Sequence, residues 1–166
     1  MTVDTAKPPP ARLILRRPDD WHLHVRDGAP MASVLAATAR VFARAIVMPN
    51  LRPPITTVDA ATAYRARLLA ALPTGARFTP LMTLYLTDQT SAAEVARAKA
   101  SGFVHAIKYY PAGATTNSES GVTALERAYP AIAAMEREGM VLAVHGEVTD
   151  PDVDMFDRER VFVERH

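Results

Sequence analysis

The run Ala45-Ile46-Val47-Met48 is apolar at every position and is closed by Pro49-Asn50. A strand with one face in water alternates apolar and polar residues, so an unbroken apolar run points to a strand buried on both faces, as in a parallel sheet. Parallel neighbours cannot be joined by a tight turn; each pair needs a crossover, usually a helix. The chain supplies that alternation. Further strands are expected at 21–26, 78–86, 103–110 and 140–144, with a short apolar run, Leu13-Ile14-Leu15, ahead of the first. Between them, residues 31–44 place Met31, Val34, Leu35, Val41 and Phe42 at helical spacing with Thr38 in register, and Pro30 suits the first turn. Thr57 or Asp59 caps a helix to about Leu72, where Pro73-Thr74-Gly75 ends it. Ser91 caps a short helix to Ala100, closed by Gly102. A helical segment interrupted at Pro130 runs to Gly139, and another begins near Asp157.

Alternating strands and helices fit either an open doubly wound sheet or a barrel. The polar residues separate the two. His22, His24, Arg26, Asn50, Lys108 and His145 all fall at or near the C-terminal ends of expected strands, and in a (β/α)8 TIM barrel those ends converge on one site. A complete barrel takes about 250 residues. Residues 13–166 are therefore expected to form the N-terminal portion of one barrel domain, roughly its first five β/α units, behind a flexible tail of residues 1–12.

Composition narrows the chemistry. A net charge of +1 with no run of like charge argues against a nucleic-acid or membrane-surface partner. The N-terminus has no signal-peptide core, and no apolar run approaches the roughly 20 residues of a membrane span. A cytoplasmic protein acting on a small molecule is expected. The chain has no cysteine, so any metal must be held by His, carboxylate or a modified lysine.

Spacing by two puts His22, His24 and Arg26 on one face of an extended strand, two imidazoles for a metal and a guanidinium for an anion. His-X-His alone equally suits surface or core histidines, and His145 could be a hydrogen-bonded strand-end residue. Lys108 has two readings. Its stem can pack on the sheet with the ammonium in water. Alternatively, burial near cations pushes it to the neutral amine, which can capture carbon dioxide as a carbamate, a two-oxygen ligand able to bridge two metals. Residues 112–121, small and polar, have the composition of a mobile loop. Glu147 either orients His145 or is a loop carboxylate, Asp27 is a turn residue, and His105, three positions before Lys108, is expected to pack behind the sheet.

Asp-Asp-Trp-His-Leu-His-Val-Arg-Asp-Gly (19–28), Val-Met-Pro-Asn-Leu (47–51), Ala-Ile-Lys-Tyr-Tyr-Pro-Ala-Gly-Ala-Thr-Thr-Asn-Ser (106–118) and Leu-Ala-Val-His-Gly-Glu-Val (142–148) resemble, in order and spacing, the successive motifs of the dihydroorotases, of the bacterial single-function type within the amidohydrolase superfamily. The resemblance runs from Leu13 onward. It implies a TIM barrel of the metal-dependent hydrolase type and the reversible, zinc-dependent cyclisation of N-carbamoyl-L-aspartate to L-dihydroorotate in pyrimidine synthesis. It further implies two zinc ions bridged by N6-carboxylated Lys108 and hydroxide, with His22 and His24 on the more buried ion and His145 on the more exposed one. Arg26 and Asn50 would bind the substrate carboxylate, His145 would also touch substrate, and Thr115 and Thr116 would sit on a closing loop. The proton-shuttling aspartate, a further histidine ligand and other substrate contacts are expected beyond His166, so residues 1–166 alone are expected to be inactive. The resemblance also suggests a homodimer. The alternatives are another cyclic-amide hydrolase, such as a hydantoinase or allantoinase, and a non-catalytic structural barrel fragment.

Overall fold

A computed structural model describes residue 12 and residues 14–166; the expected tail and Leu13 lie outside or at the border of that range. Five strands alternate with five helices: β1 (Asp19–Leu23), α1 (Met31–Val41), β2 (Arg44–Val47), α2 (Val58–Ala70), β3 (Thr79–Tyr85), α3 (Ala92–Ala100), β4 (Val104–Tyr109), α4 (Leu125–Glu138), β5 (Val141–Val144) and α5 (Arg158–Arg165). The strands form one sheet in the order β1-β2-β3-β4-β5, with every pair parallel. A doubly wound sheet reverses direction at a switch point; this order never does. Successive right-handed crossovers put the helices on one face and leave the other concave. The result is an arc of barrel wall.

The core lies between the sheet and its helices. Val47, Met82, Leu84, Leu86 and Ile107 pack against Leu35, Tyr64, Leu68, Val95, Ala131 and Met135, all buried. Two hydroxyl caps start helices where the sequence places them: Ala60 N–H donates to Thr57 Oγ1 (3.2 Å) and Glu94 N–H donates to Ser91 Oγ (3.2 Å). Glu94 also accepts from Val58 N–H at 2.6 Å, so the first turn of α3 covers an open donor of α2. Thr57→Ala is expected to lower unfolding free energy by about 1 kcal/mol, measured by urea denaturation. Gly139 closes α4 in the left-handed conformation, φ 59°.

Three expectations are corrected. The first strand stops at Leu23, because β2 offers no further ladder partner once Met48 N–H has donated to Leu23 O (2.8 Å). His24 and Arg26 therefore stand on the connection after β1. Helix α4 is continuous through Pro130: a proline at its sixth residue forgoes one amide bond near the solvent-facing start, while Ala128, Ala131, Ala134 and Met135 still bury the inner face. His105 does not pack behind the sheet. The register shifts between β3 and β4, pairing Met82 with Val104 and Thr83 with Ala106. The extra residue on β4 re-aims His105, which is exposed and lines the concave floor with Trp21, Arg44, Ile46, Leu81, Val141 and Ala143.

Candidate active site

At the C-terminal ends of the strands, His22, His24, Arg26, Asn50, Tyr110, Thr115, Thr116 and His145 line one cavity of ≈ 290 Å³. Seven of these eight are expected site residues from the sequence; Tyr110, though inside one of the motifs, is not among them. Each residue is set by its strand. His22 is the fourth of the five residues of β1 and His24 lies just past its end; the two rings come together with Nε2 atoms 3.1 Å apart and centroids 5.0 Å apart. Asn50 follows β2, Tyr110 follows β4 and His145 follows β5, where its N–H donates to Tyr109 O at 2.9 Å.

The electrostatics suit neutral imidazoles. Burial, and then the nearby Lys108 ammonium, lower the His22 pKa. Burial, His22 and Arg26 lower that of His24. Lys108 lies beneath the cavity rather than on its lining, 4% exposed, with Nζ donating to Val144 O at 2.9 Å and 5.4 Å from the Tyr110 ring centroid. Burial lowers its pKa. The solvated reading of this side chain is thus set aside: the ammonium is inside.

Arg26 is the unengaged cation of the site. Arg44, Arg67 and Arg97 each pair with a carboxylate, Asp19, Asp27 and Asp59 respectively. Among the described residues no carboxylate pairs with Arg26, whose Nη1 donates only to Asn50 O at 3.1 Å. Asp27 is occupied by Arg67 and accepts from Gly28 N–H, a turn residue as expected. Glu147 Oε1 lies 3.2 Å from His145 Nε2, yet that nitrogen makes no hydrogen bond.

The loop after β4 closes one side. Asn50 Nδ2 donates to Thr116 O (2.9 Å), and Asn117 Nδ2 donates back to Asn50 O (3.0 Å). Ser118, fully buried, ties the turn by donating to Thr115 O at 2.6 Å and accepting from Thr115 N–H at 2.8 Å. Gly121 lets the returning strand approach: a Cβ there would meet Tyr110 O at 2.4 Å. Loop and site therefore share Asn50 as a hinge pin.

Among the described residues no three His, Asp or Glu side chains gather at metal-binding distance. The donor set still fits a metal in part. Two nitrogens bound to one tetrahedral zinc ion sit about 3.4 Å apart, close to the His22–His24 separation, and His145 Nε2 is a buried acceptor or donor without a partner. Thiolate is absent, leaving imidazole, carboxylate and a modified Lys108 as the ligand chemistry this chain can offer.

Residues 13–166 match the amidohydrolase family. The chain belongs to that family. It is 68% identical over 154 residues to a dihydroorotase of Cupriavidus necator, covering 93% of this chain and 45% of the relative. A dihydroorotase of Methylobacillus flagellatus is 64% identical with the same coverages. Among solved structures, a Campylobacter jejuni dihydroorotase superposes with a TM-score of 0.81 at 38% identity, over 90% of this chain and 43% of that one. A Saccharomyces cerevisiae dihydroorotase in complex with 5-fluoroorotic acid gives 0.78 at 34% identity, over 89% and 42%. An L-hydantoinase of Arthrobacter aurescens shares the fold, with a TM-score of 0.63 at 17% identity, over 79% and 29%. The chain spans less than half the length of the curated relatives it matches. The family and the partial barrel expected from the sequence are both borne out.

Proposed function

We propose that this chain forms the first five units of a dihydroorotase barrel, and that the complete enzyme interconverts N-carbamoyl-L-aspartate and L-dihydroorotate in pyrimidine synthesis. The observation that carries the reading is the cavity itself. It joins paired imidazoles, a third imidazole and an arginine with no carboxylate partner, the set needed for a metal-assisted hydrolase with an anionic substrate. The floor supports the barrel: Trp21, Ile46, Leu81 and Val141 form an apolar concavity of ≈ 420 Å³, a surface that further strands would cover.

In this reading His22 and His24 would hold one zinc ion, His145 a second, and Lys108, once carboxylated, would supply an anionic oxygen ligand. Zinc, when bound, supplies a Lewis acid that polarises the ring amide and acidifies water. Arg26 grips the substrate carboxylate with its planar fork. Asn50 fixes that end of the ligand, while Thr115 and Thr116 close over it and exclude water. The cavity lining contains no carboxylate, so the proton shuttle to the leaving nitrogen is assigned to the remainder of the barrel. A cytoplasmic homodimer is part of the proposal, on the resemblance of the sequence motifs to the dihydroorotases alone.

The test is substrate choice by the full-length zinc-loaded protein. Dihydroorotate is expected to be hydrolysed, with hydantoin and allantoin turned over at least about 100-fold more slowly in kcat/KM, because a site built around Arg26 leaves that charge unpaired with a neutral ring. Hydantoin preferred over dihydroorotate contradicts the proposal. Residues 1–166 alone, given zinc and bicarbonate, are expected to show no turnover; clear activity would show that the shuttle and remaining ligands lie within them.

A further inference from the structure

Tyr110 is the one cavity residue with no part in the scheme above. It stands two positions after Lys108 at the end of β4, on the same face, and is 1% exposed. Its ring stacks on Tyr85, with centroids 5.0 Å apart and planes at 30°, and lies 6.0 Å from the His145 ring. Tyr85 is itself fixed, its hydroxyl donating to Asn117 O at 3.3 Å on the loop. The Tyr110 ring therefore has little freedom, and its hydroxyl direction is set by the sheet and the stack.

That hydroxyl has no hydrogen-bond partner among the described residues. A buried phenol ordinarily has one, since leaving it unmade costs about 1–3 kcal/mol. Asn50 Oδ1 and His145 Nε2, on the same cavity, are likewise unpartnered. Three orphaned polar atoms around one space describe a site shaped for a polar ligand. The Arg26 guanidinium lines the same cavity as Tyr110. A protonated phenol has a hydroxyl proton to donate, and it shares this cavity with a cation.

We propose that the Tyr110 hydroxyl donates a hydrogen bond to the substrate carboxylate that Arg26 grips, making it a substrate-binding residue of this site. The inference rests on the dihydroorotase reading. A phenol on the same cavity as a guanidinium adds a directional donor to a charge contact, and so favours a ligand whose carboxylate sits at one end of a small polar ring. Tyr110→Phe keeps the ring and its stack on Tyr85 while removing only the oxygen.

The experiment compares full-length wild type, Tyr110→Phe, Arg26→Lys and the double variant on dihydroorotate, with zinc content measured for each. Tyr110→Phe is expected to raise KM about tenfold, the size of one hydrogen bond to a charged group, with kcat within about twofold and zinc unchanged. In the Arg26→Lys background the same change is expected to raise KM by clearly less than tenfold, because two donors on one carboxylate are coupled. An unchanged KM in Tyr110→Phe, or effects of the two changes that multiply in full, overturns the assignment. Loss of zinc in Tyr110→Phe also overturns it, by showing that the hydroxyl supports the metal site instead. Wild type without dihydroorotate turnover removes the functional reading and this proposal together; wild-type turnover with an indifferent Tyr110→Phe removes only the latter.

Discussion

Lys108→Met is expected to abolish turnover of the complete enzyme, by at least about 10³-fold in kcat, while leaving the fold as stable as before or more so. The two halves of that result have separate causes. Lys108 is 4% exposed, and its ammonium makes one hydrogen bond, to Val144 O. Such a group is costly where it stands, and an apolar side chain of similar volume removes the desolvation penalty. A residue kept for packing would show the reverse, lost stability with activity following it down. Arg at this position separates charge from chemistry. Guanidinium stays protonated and cannot form a carbamate, so Lys108→Arg is expected to be as inactive as Lys108→Met. Measured kcat, zinc content and thermal midpoint for the three proteins decide it; activity retained in Lys108→Arg contradicts a carbamate role.

Arg26→Met is expected to lower kcat/KM for dihydroorotate by on the order of 10³-fold, since it deletes one partner of a desolvated charge pair worth several kcal/mol. Its structural cost is small by comparison. Arg26 forms no ion pair with a described carboxylate, and its contact with Asn50 O at 3.1 Å is one of two there, Asn117 supplying the other at 3.0 Å. Arg26→Lys keeps the charge but loses the planar fork, and falls between wild type and Arg26→Met. Steady-state kinetics at two ionic strengths check the mechanism: the wild-type kcat/KM falls with salt, and the dependence weakens in Arg26→Met. Equal kinetics in wild type and Arg26→Met contradict the carboxylate clamp.

Much of this site is written in strand ends. Continuous apolar runs at 45–48 and 140–144 announce parallel strands, and the polar residues that follow them, Asn50 and His145, are thereby placed on one rim. The caps Thr57 and Ser91 are local chemistry and lie where the sequence puts them. What escapes the sequence is set by neighbours in space. The first strand ends at Leu23 because β2 runs out of ladder, not because residues 24–26 look unlike a strand. His105 turns to the concave floor because β4 carries a residue more than β3 across their shared ladder, a slip no single-strand pattern displays. Pro130 is absorbed because α4 is held by its buried alanines and Met135. Tyr110 was within reach: Ala106, Lys108 and Tyr110 alternate along one face, and period two places it beside Lys108. What the alternation does not reveal is that its hydroxyl is left without a partner, which depends on Tyr85, Asn50 and His145 arriving from three other parts of the chain.

The most direct test of the account is a crystal structure of the full-length protein, grown with zinc and bicarbonate at neutral pH and soaked with dihydroorotate. The account predicts carbamate density on Lys108 reaching two metal ions, one on His22 and His24 and one on His145, with the ligand carboxylate on Arg26, Asn50 and the Tyr110 hydroxyl. An unmodified Lys108 still bonded to Val144 O, with His22 and His24 metal-free and dihydroorotate bound elsewhere or not at all, contradicts it.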